Sequence, residues 1–168
     1  MPEVGGEGPE IPWQGREALA LVRYPLEALP GWRIEFARAA PGEVRDGSTW
    51  VTSKLVVVYV RGDWSVDRTA NAFAHELGHA HDVVHLAARD RDGYLHARGL
   101  SWYERTFRVR WPAFSKEEPR KSQRVGCEDF AEVFALRWGP SQPFQSTVRD
   151  APSPTELEQL ERFLAPRR

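Results

Sequence analysis

The stretch Phe73–His85, FAHELGHAHDVVH, constrains this chain more than any other part of it. It holds four of the five histidines in the sequence, interleaved with Glu76 and Asp82. Residues four apart on an α-helix differ by about 400° in angle, so His75 and His79 share one face a turn apart. Two imidazole nitrogens placed in this way can converge on one ion, at about 2.0–2.1 Å each for zinc. Glu76 lies about 100° around the helix from His75, within reach of the ion's open side without closing its coordination sphere. Leu77 turns to the core, and Gly78 permits another segment to approach closely. The chain has to supply a helix here and at least one further ligand from elsewhere.

H-E-x-x-H on a helix is the zinc metalloprotease pattern. The metal lowers the pKa of its water toward 7, and the carboxylate takes the proton as the hydroxide attacks a carbonyl. A catalytic zinc has three protein ligands and one open position. The candidate for the third ligand lies in CEDFAE, where Glu128 and Glu132 are four apart on one helical face and Asp129 points about 100° away. One of the pair can ligate, and the other can accept the free ring N–H of a ligating histidine and fix its tautomer. Cys127, the single cysteine, neighbours Glu128 and is expected to pack rather than ligate.

The rest of the chain reads as one domain built to carry that pair of helices. At 168 residues it suits one sizeable core. Residues 1–12 are Gly, Pro and Glu with almost nothing to bury, and read as a disordered tail before a single domain over 13–168. Residues 16–29 have helical spacing, interrupted at Pro25 and stopped by Pro30–Gly31. Residues 32–39 alternate like a half-buried strand. Residues 49–62 read as one strand, or as two broken near Ser53. Asp67 is the expected cap of the histidine helix. The span 94–124 has no clear period, and 112–124 is expected to be a loop or flap beside the cleft. Helices are expected over 127–138 and 153–165, the second capped by Thr155. The order of elements is that of an α+β fold, a small twisted sheet packed on an active-site helix and a second, Glu-bearing helix.

Charge and composition exclude several classes of partner. The net charge is −1, which points to neither a nucleic acid nor a membrane surface. The longest apolar run, Leu55–Val60, is too short to span a bilayer, and the first twelve residues lack the basic and apolar regions of a signal peptide. One cysteine fits a reducing compartment. The expectation is a soluble cytoplasmic protein, with export by a non-classical route left open.

HELGHA followed downstream by E-D-F-A-E-x-F-A resembles the gluzincin class of zinc metallopeptidases, closest to the minimal catalytic domains of the anthrax-lethal-factor-like kind. The resemblance implies a zincin-like fold holding Zn2+ and acting on a peptide or protein substrate. It implies His75 and His79 as zinc ligands, Glu76 as general base, Glu128 as third ligand and Glu132 as the residue orienting a ligand histidine. An edge strand of a zincin aligns an extended substrate, and Leu55–Val60 is the candidate strand near the cleft. Such domains carry a tyrosine shortly before the glutamate ligand, aimed at the oxyanion. Here that stretch is RKSQRVGC, so Arg124, His81, Tyr94 or Tyr103 is left as a substitute.

A rival reading sits in the same stretch. His85 lies ten residues after His75, the ligand spacing of metzincins, whose glycine ends the helix so that the third histidine folds back. Asp82 replaces that glycine, and the only methionine is Met1, so no methionine turn is present. Asp82 is expected at the edge of the site, as an orienting or capping residue. Two further alternatives share the site: a regulatory protease with one dedicated target, similar in arrangement to the ImmA/IrrE family, and a non-catalytic zinc-stabilised binding module.

Overall fold

The computed structural model describes residues 12–111 and 124–166. Strands β1 (Arg33–Arg38), β2 (Gly47–Trp50) and β3 (Leu55–Val60) form a mixed sheet in the order β1-β3-β2. β1 and β3 run parallel, with Ile34 opposite Val56 and Phe36 opposite Val58. β2 runs antiparallel to β3, with Gly47 opposite Val58 and Thr49 opposite Val56. Side chains alternate across a strand, so Ile34, Phe36, Val56, Val58 and Val60 share one face, and all five are buried. The break near Ser53 is a turn through Lys54, where the chain adopts φ 49°.

The covered face of the sheet packs on α2 (Val66–His85), a helix of 20 residues. The Ser65 hydroxyl caps it by accepting from the Arg68 amide, while Asp67 occupies the first turn. The cap is therefore Ser65, two residues before the Asp67 expected; Asp67 instead sits favourably toward the positive end of the helix dipole. α1 (Trp13–Leu21) starts before the expected residue 16 and ends well before Pro25, and Leu26–Ala28 form only a short 3-10 turn. Helix α3 (Ala88–Ala97) is an element beyond those expected, and its last four residues enter the span without a clear period. Glu104–Arg108 form a π-helical turn leading to β4 (Val109–Arg110), which pairs with β5 (Arg124–Val125). The expected loop or flap at 112–124 lies outside the described residues, except for Arg124. Helix α4 (Gly126–Trp138) then crosses α2, and α5 (Pro154–Leu164) closes the fold. α5 is capped by Ser153 rather than Thr155, because Ser153 and Glu156 form a reciprocal box around Pro154.

The α2–α4 crossing is close because small residues meet there. A Cβ on Gly78 would stand 2.9 Å from Ala131 Cα and 3.0 Å from Phe134 Cβ. Around the crossing, Phe73, Leu77, Phe130 and Phe134 are fully buried.

A buried ion pair fixes the other side of α4. The Asp129 carboxylate accepts from Arg98 Nε at 2.9 Å and from the Tyr94 hydroxyl at 2.7 Å. The Ser146 hydroxyl also donates to it, and Arg98 reaches on to the Asp150 carbonyl at 2.9 Å. This one cluster ties α3, α4 and the chain after α4 together. Removing one partner of a buried pair leaves the other charge stranded, at about 3–5 kcal/mol. Arg98→Met is expected to destabilise by that amount in urea unfolding. The double variant Arg98→Met/Asp129→Leu should recover part of the loss, since no stranded charge remains. Equal losses in the two variants would contradict the argument.

Candidate metal centre

His75 and His79 project from adjacent turns of α2, as their spacing dictates, and Glu128 reaches them from the first turn of α4. One donor atom from each of the three lies within 4.8 Å of the others. The two histidine Nε2 atoms face each other at 3.2 Å. Glu128 spans both, with Oε2 at 3.3 Å from His75 Nε2 and Oε1 at 3.6 Å from His79 Nε2. A tetrahedral ion with bonds of about 2.0–2.1 Å separates its ligand atoms by about 3.3–3.4 Å. The spacing of the group fits that demand, so His75, His79 and Glu128 are a group that can hold a metal ion.

Glu132, one turn along α4 from Glu128, fixes the His75 ring. His75 Nδ1 lies 2.9 Å from Glu132 Oε1, and donation of its N–H there leaves the Nε2 lone pair facing the group. Glu132 is held in turn by the Gln145 amide, which donates to Oε2 at 3.0 Å. The Gln145 contact has no signal in the sequence, because it depends on where the chain after α4 returns.

Electrostatics make the group a trap for a cation. Burial works against charge on His75, but the Glu128 and Glu132 carboxylates outweigh it and push its pKa up to about 10. Burial likewise works against ionising Glu128, yet His75 and His79 hold its carboxyl well below the usual carboxylate range. Glu132 is lowered too, with His75 overcoming its burial. Without a metal, a proton on His75 supplies the positive charge between nitrogen and carboxylate. Cys127 stays outside the group: burial first, and the Glu128 charge second, push its thiol up to about 12, so it is no thiolate at neutral pH.

Glu76 is buried beneath β2. The Thr49 hydroxyl stands 2.7 Å from Glu76 Oε2 and 3.0 Å from the Glu76 carbonyl oxygen. Gly47 is so near that a Cβ there would lie 2.5 Å from Glu76 Cγ and 2.8 Å from Oε1. The strand over Glu76 is therefore β2, at the sheet edge. Leu55–Val60, expected near the cleft, is β3, the central strand with both edges paired.

The remaining sequence candidates make other contacts. α2 runs unbroken to His85, whose Nε2 lies 3.0 Å from the Ala28 carbonyl oxygen, and His85 is not part of the metal group. Asp82 is buried and accepts from Arg91 Nε at 2.7 Å and Trp111 Nε1 at 2.8 Å, so it ties α2 to α3 and Trp111. His81 and Tyr94, two candidates for the oxyanion, are fully buried in the core. His81 lies between the Tyr24 hydroxyl and the Phe163 carbonyl oxygen, at 2.9 Å from each. Tyr94 is spent on Asp129. Tyr103 is exposed on the segment before β4.

Two outcomes follow for metal binding. Glu128→Ala should abolish tight binding, Glu132→Ala should weaken it about 10–100-fold, and His85→Ala should leave it intact, all read by chelator competition. Loss of the metal from His85→Ala with retention in Glu128→Ala would reverse the ligand set. Metal and proton also compete for His75 Nε2, so each fall in pH below about 10 favours the proton. Affinity should rise from pH 6 to pH 8, with proton release on binding, and a pH-independent affinity would contradict the assignment.

Comparison with protein-family models, with curated proteins and with solved structures finds no match, so the metal group rests on the geometry above.

Proposed function

We propose that the protein is a zinc-dependent peptidase of the gluzincin kind, with His75, His79 and Glu128 holding the metal and Glu76 as general base. The observation that carries this reading is Glu76 itself, a carboxylate next in sequence to one ligand of the group and lying under an edge strand. A metal site with a purely structural role has no use for such a base, and it is normally closed by four protein ligands. Among the described residues three ligands converge, the number found at catalytic zinc. Imidazole and carboxylate together accept zinc as they do other first-row divalent ions, and the H-E-x-x-H spacing on one helix is what favours zinc.

Bound to this group, zinc supplies a Lewis acid that polarises a carbonyl and brings the pKa of water toward 7. The chain's own residues do the rest. Glu132 keeps the His75 ring turned so that Nε2 faces the group. Glu76 takes the proton of the attacking water and passes it to the departing amine nitrogen. The edge of β2 not paired with β3 offers main-chain donors and acceptors to an extended substrate, which makes a peptide or protein segment the substrate class.

Glu76→Gln separates chemistry from metal binding. It should retain about one zinc per chain while hydrolysis of an unfolded protein substrate falls at least about 10²-fold. Hydrolysis by Glu76→Gln at the wild-type rate would falsify the assignment of the base. Zinc retained in both proteins with turnover in neither would favour the non-catalytic module.

A further inference from the structure

We propose that Thr49 is a positioning residue for Glu76: its hydroxyl, together with the bare backbone of Gly47, holds the carboxylate in a single orientation. The inference rests on the peptidase reading, in which Glu76 is the base. A glutamate has three side-chain torsions and, left to solvent, samples many rotamers. Proton transfer needs the accepting oxygen within hydrogen-bond reach of the donor, so a wandering carboxylate is a poor base.

The edge strand removes that freedom in two ways. The Thr49 hydroxyl meets both the carboxylate and the main-chain carbonyl of Glu76, at 2.7 and 3.0 Å. The single hydroxyl proton is shared between these two acceptors, the carboxylate being the nearer, and this bifurcated contact holds the side chain against its own backbone. On the other flank, the missing side chain of Gly47 lets strand backbone lie against Cγ and Oε1, where a Cβ would be only 2.5–2.8 Å away. Gly47 and Thr49 are two apart on β2 and face the same side, so one strand supplies both the wall and the hook. Their pairing with Val58 and Val56 anchors that strand to the centre of the sheet. Oε2 is taken by Thr49, while Oε1 accepts no hydrogen bond among the described residues and is the oxygen free to receive a proton. A substrate chain paired to the outer edge of β2 steadies the same strand that aims the base.

The test compares wild type, Thr49→Val, Thr49→Ser and Glu76→Gln. Valine keeps the shape and strand preference of threonine but not the hydroxyl, whereas serine keeps the hydroxyl. With zinc-loaded proteins and fluorescein-labelled casein, Thr49→Val should lose about 10²-fold in kcat with little change in KM or zinc affinity. Thr49→Ser should recover most of that loss. In the metal-free proteins, the Glu76 side-chain carboxyl 13C resonance, assigned by its loss in Glu76→Gln, should be single in wild type and Thr49→Ser. It should split or broaden in Thr49→Val. An unchanged single resonance in Thr49→Val overturns the proposal, as does full activity of that variant beside an inactive Glu76→Gln. A fully active Glu76→Gln instead overturns the peptidase reading. Should none of the proteins cut casein, the resonance in Thr49→Val decides alone, split in support and unchanged against.

Discussion

The contact on which the metal group depends is the approach of Gly78 to Ala131. With Gly78 bare, the backbones of α2 and α4 come close enough that a single methyl group would touch Ala131 Cα at 2.9 Å. The functional residues flank that contact symmetrically. His75 and His79 lie three before and one after Gly78, and Glu128 and Glu132 lie three before and one after Ala131. Both sets fall on one helical face at the i, i+3, i+4 spacing. Side chains on either flank therefore meet across a gap set by backbone packing rather than by their own flexibility. Core packing resists small changes in volume, so the distance between the ligands inherits the stiffness of the core.

Glu128 and Asp129 illustrate how position on that helix decides the fate of an acid. They are adjacent and differ by one methylene. Glu128 points to the group with its side chain 53% exposed, whereas Asp129 is fully buried against Arg98, Tyr94 and Ser146. The about 100° between neighbouring helix residues gives one of them to the metal group and the other to the fold. The buried side works as an anchor: Arg98 and Ser146 hold α4 in rotation, and rotation of α4 sets where Glu128 arrives.

What was legible in the sequence was what is local. The two i, i+4 pairs, the alternation in β1 and the break near Ser53 all follow from periodicity within a few residues. Both helix caps were placed two residues late. Asp67 and Thr155 are reasonable caps in isolation, but each follows a serine whose hydroxyl already accepts from the third residue on. α3 was missed because ARDRDGYLHA carries only a thin apolar stripe, with Tyr94 and Leu95 as its buried residues. Thr49 and Gln145 were missed for a different reason. Thr49 touches Glu76 across 27 residues and Gln145 touches Glu132 across 13, so each depends on the tertiary path of the chain. The strand beside Glu76 has no local signal either, since apolar content marks the central strand of a sheet and not its edge.

The placement of the three donors on two helices gives an ion a second consequence, for the chain as a polymer. His79 and Glu128 are about fifty residues apart in sequence, so an ion held between them closes a long loop, as a cross-link does. The unfolded chain does not present this geometry, and binding therefore adds to the free energy of folding, by about 4 kcal/mol at a thousandfold excess over Kd. That is a large share of the margin by which a domain of this size is stable. Scarcity of the ion would then remove rigidity, leaving α2 and α4 joined by their apolar seam and by the contacts of His75 with Glu128 and Glu132.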